Sequence, residues 1–424
     1  MQLFEKLIDH REAGRLVVEN TKLLPAANVP LEDAHGLALA EDLRARFDSP
    51  PFDNSAVDGY ALRSVDAEEG RIFKVVDEAP AGRPAQRSVG EGEAIKIFTG
   101  GVVPEGSDAV VMVENTSGWG EEFELKKAAT AGQNIRRSGE DVREGDVILR
   151  AGTEAGPPEI ALAATQGYGK LPVNRRPRVV ALSTGTELVA PGERDLEPGE
   201  IYDSNSFAIV AQAREAGAEA RRIAAATDEP DALRHAVKEA LESADVVVTS
   251  GGVSVGEKDL VKRTMTDLGV EQIFWGVKFK PGKPLFFGVR NDTSVFGLPG
   301  NPVSAMVCFD LFVRPALMQM MGHEVRERPR IEVYFDRDIQ NRFGRLHAMR
   351  VSLRRTEKGW LAESVGAQGS GLVSSLTKAD ALALIGPESE VRVGEPVEAM
   401  VLREGVFDSK QGPESGGRMV ESRD

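Results

Sequence analysis

The sequence predicts an α/β fold joined to β domains, and three textures along its 424 residues predict it. From 176 to 326, Val-rich runs alternate with amphipathic stretches, the pattern of a mainly parallel sheet with helices on both faces. Residues 47–143 and 327–404 are short apolar runs broken by Gly and Pro, hence small β domains. Residues 3–19 and 145–170 carry helical spacing. We therefore expect four domains: an elongated helical domain (1–46 and 144–175), an inserted β domain (47–143), an α/β domain (176–326) and a C-terminal β barrel or sandwich (327–404).

Taken in order, Leu3, Leu7, Leu16 and Val17 stand among charges and predict an amphipathic helix over 3–19. Residues 31–45 read as a short helical or extended piece. The inserted domain offers strands at Phe73–Val76, Ala94–Phe98, Ala109–Val113 and Phe123–Leu125. Pro157-Pro158 opens the next helix, since proline suits a first helical turn. The α/β segment then predicts strand Arg178–Leu182, helix Ser204–Ala216, helix Asp231–Ser243 and strand Ala244–Thr249. Helix Asp259–Leu268, strands Leu285–Val289 and Ser294–Leu298, and a helix from Pro302 follow. Residues 405–424, rich in Gly, Ser and Glu, predict a disordered tail.

Composition narrows the function. A net charge of −15 argues against nucleic-acid binding, which requires clustered Lys and Arg. One cysteine, Cys308, rules out an internal disulfide, and with five scattered histidines it argues against a zinc site. The start of the chain lacks the apolar run of a signal peptide, and no run approaches the ~20 residues of a membrane span. We expect a cytoplasmic protein with neither membrane nor nucleic acid as partner.

Ligands of open α/β sheets bind where strands end and helices begin. Three loops fall at such places: Ser183-Thr184-Gly185-Thr186-Glu187, the segment 249–259, and Gly297-Leu298-Pro299-Gly300-Asn301-Pro302-Val303-Ser304. The second carries Ser250, Gly251, Gly252, Ser254, Gly256 and Asp259. Glycine lets backbone amides approach a ligand, and hydroxyls with helix N-termini favour anions. Taken alone, each loop is also an ordinary tight turn. Asn301 suits an N-cap and Pro302 a first helical position. Between the second and third loops runs Lys278-Phe279-Lys280-Pro281-Gly282-Lys283-Pro284. Residues 251–290 hold seven Lys or Arg against four Asp or Glu, a positive window in an acidic chain. It reads as an oxyanion clamp rather than a solvated turn. Glu187, Asp228 and Asp259 offer hard oxygens for Mg²⁺. Asp228 reads equally as an N-cap, and Glu187 and Asp259 as first-turn helix charges. Asp58, Phe98-Thr99-Gly100-Gly101 and Arg136–Asp141 lie in turns of the inserted domain.

Together the strings Asn54–Tyr60, Phe98–Gly101, Arg137–Asp141, Ser183–Leu188, Asp203-Ser204-Asn205, Ser250–Asp259, Lys280–Pro284 and Gly297–Ser304 resemble the MoeA and gephyrin E-domain family, the molybdopterin molybdenumtransferases. The resemblance runs from about residue 3 to 404. It implies an α/β domain like the molybdopterin adenylyltransferases and a homodimer whose cleft joins one subunit's α/β and C-terminal domains to the other's β domain. It further implies insertion of molybdenum from molybdate into adenylylated molybdopterin, a pterin dithiolene nucleotide, with Mg²⁺ and release of AMP. Partners implied are the molybdopterin adenylyltransferase and apo-molybdoenzymes. By position, Asp58, Asp141, Asp259 and Lys280 become catalytic residues, and Glu187, Asp228 and Asp259 metal ligands. Thr99, Ser183, Gly185, Ser250, Gly251, Gly252, Ser254, Gly256, Lys283, Pro299, Gly300, Asn301, Pro302 and Ser304 become binding residues. In the last domain Arg345, Arg350, Ser370 and Ser374 join them. Thr186 stands where the family usually carries Asp, Leu260 where an aromatic often follows, and Leu346, His347 and Met349 where a more acidic and aromatic pattern is usual. Two other readings share these features: an adenylyltransferase acting on the pterin, and a non-catalytic scaffold.

Overall fold

The computed structural model describes residues 7–226, 229–251, 260–323 and 327–407. The chain divides into two compact units. One takes residues 1–27, 36–38 and 174–424, the other residues 28–35 and 39–173. Helix α1 (His10–Glu19) belongs to the first. Asp9 caps it by accepting from Arg11 N at 2.9 Å, so residues 7–9 of the predicted helix are not helical, and residues 3–6 lie outside the described residues. Ile8, just before it, bridges instead to Val277. Ala13 and Val17 are fully buried on the α/β core, with Leu317 and Met320.

The second unit is built on β1 (Gly59–Leu62), β2 (Ile72–Ala79), β3 (Glu93–Ile97), β4 (Ala109–Met112) and β5 (Glu122–Glu124). Their order is β4-β1-β3-β2-β5, antiparallel except for β2 beside β3. Alternation divides the side chains between two cores: Tyr60, Leu62, Phe73 and Phe123 on one face, Ala61, Ile95, Ile97 and Val110 on the other. Helix α2 (Pro157–Thr165) follows, with Glu159 accepting from Gly156 N at 3.0 Å. Among the described residues α1 and α2 lie in different units, and Leu43–Arg44 pairs with Val147–Leu149 as short strands. Helix α2 stands where Pro157-Pro158 predicts it. Gly145, Gly152 and Gly156, with the two prolines, confine the helix of this stretch to nine residues.

The first unit continues with β6 (Arg178–Thr184), α3 (Asn205–Glu215), β7 (Glu219–Ala226), α4 (Pro230–Ser243), β8 (Val246–Ser250) and α5 (Leu260–Asp267). Then come β9 (Glu271–Trp275), β10 (Phe279–Lys280), β11 (Phe286–Arg290), β12 (Thr293–Leu298), α6 (Pro302–Cys308), a π-helical turn Phe309–Val313 and α7 (Arg314–Met320). The sheet runs β7-β6-β8-β12-β11-β9. Its first four strands are parallel, and the β11–β12 hairpin with β9 adds antiparallel pairings at one edge. Valines pair across the centre, Val179 with Val246 and Val247 with Val295, as buried parallel strands require. Strands β7 and β9 are not legible in the sequence. The first, Glu-Ala-Arg-Arg-Ile-Ala-Ala-Ala, is made of helix-favouring residues and becomes a strand only by pairing along β6. The helical run Pro302–Met320 is long and apolar enough to cross a membrane by length and composition, and 78% of it is buried in the core.

The last domain is a closed barrel of β13 (Arg330–Tyr334), β14 (Leu346–Thr356), β15 (Gly359–Ser364), β16 (Ala381–Ile385) and β17 (Val397–Val401), with the short helix α8 (Val373–Thr377) between β15 and β16. Pairings run β13-β15-β14-β16-β17 and back to β13, so no edge is left open. Val333, Met349, Val351, Ala383, Ile385 and Ala399 fill the core. β10 adds to the barrel sheet alongside β14, pairing Lys280 with His347.

Candidate active site

The three glycine and hydroxyl loops follow β6, β8 and β12, which are neighbours in the sheet. They therefore meet at the carboxyl ends of three parallel strands. Asn205, at the start of α3, ties the second loop to the third. Its Nδ2 donates to Ser250 Oγ at 2.8 Å and to Gly300 O at 2.7 Å. Ser250 Oγ lies 3.3 Å from Pro299 O, and Gly251 N donates to Leu298 O at 3.2 Å. Gly251 has φ +89°, and a Cβ there would meet Thr184 O at 2.8 Å, so glycine alone allows the first two loops to touch. Ser183 Oγ donates to the buried carboxylate of Asp203 at 2.9 Å, which also accepts from Ser206 N. Asn205 and Asp203 escape sequence reasoning about the site. Their signal is the Asp203-Ser204-Asn205 string, which belongs to the family resemblance without any site role being assigned to it.

Gly185 takes φ +151°, and a Cβ on it would come within 2.7 Å of the Glu187 carboxylate. Glu187 is exposed at the strand end. Asn301 occupies the N-cap position with Pro302 after it, but its side chain makes no capping bond. The first-turn amide of Val303 instead donates to Ser370 O at 3.1 Å, which seats the 369–372 turn of the barrel domain on α6. Ser304 is buried. Gly252, Ser254, Gly256, Asp259 and Asp228 lie outside the described residues, as does the predicted tail from 408.

Beside these loops stands a cationic cluster. Arg350 is 0% exposed. One guanidinium nitrogen, Nη2, donates to Ala367 O at 3.3 Å and Gly369 O at 3.1 Å, while Nε and Nη1 have no partner among the described residues. Gln368 holds the backbone of Arg350 from both sides, accepting from its N at 2.9 Å and donating to its O at 3.1 Å. Lys280 is half-buried and packs its ammonium 3.5 Å from the Phe343 ring centroid. Burial first, then the charges of Arg345 and Arg350, lower its pKa. Burial also lowers that of Arg350. His347 is held neutral, near pKa 4, by burial and by Lys280 and Arg350. Among the described residues no carboxylate pairs with Lys280, Arg345 or Arg350. Lys283 is exposed, although its carbonyl accepts from Val277 N at 3.0 Å and fixes the turn. Ser374 is exposed on α8 and its carbonyl accepts from Thr377 Oγ1.

In the second unit, Asp58 Oδ1 accepts from Thr99 N at 2.7 Å and Thr99 Oγ1 at 2.8 Å. These bonds hold the carboxyl below the usual range. Asp141 is exposed in a turn whose backbone N donates to Ser49 O at 3.0 Å. Asp53 organises that turn, accepting from Arg137 Nη1 and Ser138 N. No group of three metal-ligating side chains occurs among the described residues.

Strand-end loops over a parallel sheet, flanked by a cationic cluster that no described carboxylate neutralises, have the geometry of a class of protein suited to phosphorylated or oxyanionic ligands. Family models match in three blocks: the MoeA N-terminal region (domain I and II) over residues 8–167, a probable molybdopterin binding domain over 180–319, and the MoeA C-terminal region (domain IV) over 332–402. The molybdopterin molybdenumtransferase of Bacillus subtilis is 37% identical, covering 93% of this chain and 94% of its own length. That of Haemophilus influenzae is 37% identical, over 87% of this chain and 91% of its own. The crystal structure of the Pyrococcus horikoshii molybdopterin biosynthesis MoeA protein superposes with a TM-score of 0.80 at 32% identity, covering 94% of this chain and 100% of that one. The chain belongs to the molybdopterin molybdenumtransferase family, transferase enzymes of molybdenum cofactor biosynthesis.

Proposed function

We propose that this chain transfers molybdenum from molybdate into adenylylated molybdopterin, with Mg²⁺ as cofactor and AMP as leaving product. The observation that carries the reading is Arg350, a fully buried guanidinium whose Nε and Nη1 are unpartnered among the described residues, beside Lys280 and Arg345. A buried cation without a counter-charge is costly, and a dianion such as molybdate supplies both charge and acceptors. The substrate phosphates lie across the loops at 250–259 and 298–304, with Ser183, Ser250, Gly251, Gly300, Asn301, Pro302 and Ser304 shaping the approach. Glu187 is exposed, no cation pairs with it among the described residues, and its hard oxygens suit Mg²⁺. With Asp228 and Asp259 it would hold the ion, which neutralises phosphoanhydride charge when bound. Asp259 positions the attacking oxygen, and Asp58 holds the substrate. The one thiol, Cys308, is buried and its pKa pushed up by burial, so the sulfur ligands come from the substrate. The enzyme works as a cytoplasmic homodimer in which Asp58, Thr99 and Asp141 of one subunit serve the loops of the other. The molybdopterin adenylyltransferase supplies its substrate, and apo-molybdoenzymes take its product.

The test is an insertion assay on the purified chain with adenylylated molybdopterin, Mg²⁺ and molybdate or tungstate. AMP release together with reconstitution of an apo-molybdoenzyme is expected. AMP transfer from ATP to free pterin would replace this reading with the adenylyltransferase one. Tight nucleotide binding without turnover would replace it with the scaffold.

A further inference from the structure

The second unit carries a fixed, half-exposed aromatic surface that no role above uses. Trp119 is 46% exposed, yet its backbone is clasped on both sides by one hydroxyl. Tyr60 Oη donates to Gly118 O at 3.1 Å and accepts from Gly120 N at 3.1 Å. The indole packs on Phe98, centroids 5.8 Å apart and planes 23° from parallel, and on Tyr60 at 5.2 Å. Lys96 Nζ sits 4.6 Å from the indole centroid and 5.1 Å from that of Phe98. Tyr60 and Lys96 are register partners on adjacent strands. Asp58 lies two residues before Tyr60, and Thr99 directly follows Phe98. The Asp58–Thr99 pair thus stands at the edge of this aromatic group. Both Thr99 bonds fall on Asp58 Oδ1, so among the described residues Oδ2 of this exposed carboxylate is left without a partner.

A rigid aromatic surface bordered by a free carboxylate suits a flat heterocycle carrying adjacent N–H donors. We propose that Trp119, with Phe98 behind it, is the stacking platform for the pterin ring, and that Asp58 Oδ2 accepts from the pterin 2-amino and N3–H groups. The inference rests on the transfer reading above, because that reading supplies the pterin. Adenine, the other ring of the same substrate, fits less well. It presents one amino group beside a ring-nitrogen lone pair, which a carboxylate repels.

The test titrates free pterin (2-amino-4-oxopteridine) and, separately, AMP into the full-length protein, following pterin fluorescence and binding heat. Trp119→Leu should weaken pterin binding roughly tenfold, the scale of one lost base-stacking contact, while the AMP affinity holds. Trp119→Phe, which keeps a ring and leaves the Tyr60 clasp untouched, should recover most of it. Asp58→Asn should weaken pterin and leave AMP as it was. Equal pterin affinity in wild type and Trp119→Leu would overturn the platform, as would a loss that falls on AMP instead, or no pterin binding by the wild type. AMP release by the wild type in the insertion assay is scored separately, so a failed platform is distinguishable from a failed transfer reading.

Discussion

At the scale of single residues, Arg350 concentrates the physics of the site. Its side chain is fully buried, and among the described residues two of its nitrogens have no acceptor and no carboxylate pairs with it. Such a charge burdens the empty protein and is relieved when an anion arrives. Molybdate should therefore raise the unfolding temperature of the wild type, as any ligand selective for the folded state does. Arg350→Met, which keeps length and packing but not charge, should abolish that rise and weaken molybdate binding at least about tenfold, the cost of roughly one charged hydrogen bond. Without molybdate the variant should unfold no earlier than the wild type. Thermal melts across a molybdate titration check both, and an undiminished shift in Arg350→Met would remove this residue from the site. The sequence offered Arg350 by resemblance only. Its burial and missing counter-charge depend on Gln368, Ala367 and Gly369 folding over it from a turn seventeen or more residues away. Phe343 beside Lys280 is likewise a contact made only by the parallel pairing of β10 with β14.

Single elements decide how well these residues are aimed, and the turn after β10 is the most demanding. Gly282 has φ +125°, and a Cβ there would lie 2.3 Å from Cys308 Sγ on α6. Gly282→Ala should cost about 1–3 kcal/mol through overpacking, with added strain from the positive φ. It should also weaken oxyanion binding, because Lys280 and Lys283 bracket the displaced turn. Cys308→Ala in the same chain removes the sulfur and should restore part of the stability, since only the steric share is relieved. Urea unfolding of the single and double variants reads this directly, and equal midpoints for the two would refute steric contact as the cause. Element reading from sequence succeeded where composition and pairing agree. The Val-rich strands β6 and β8, the hairpin β11–β12 and the proline-led α6 stand close to where their residues place them. It missed β7, whose alanines favour helix until β6 pairs with them, while in 144–175 the helix opens at Pro157 as predicted and spans only nine residues.

At the scale of the whole molecule, the proposed site residues fall into both units, which are separate compact bodies. The strand-end loops and cationic cluster belong to one, Asp58 and Thr99 to the other. The proposed homodimer makes a specific demand on this division. If Asp58 serves the loops of the partner subunit, Asp58→Asn and Lys280→Ala chains, each inactive alone, must complement when mixed. A heterodimer of the two holds one site with both lesions and one with neither. Random pairing makes half of all dimers heterodimers, so the mixture should recover about a quarter of wild-type insertion activity, as two-fold symmetry with shared sites requires. A monomeric enzyme, or one whose sites are completed within each chain, recovers none, since every site then keeps one lesion. Co-expression with two different affinity tags isolates the heterodimer and raises the expected figure to about a half, because one of its two sites is intact. That doubling separates true complementation from residual activity of either variant, which purification through both tags would leave unchanged.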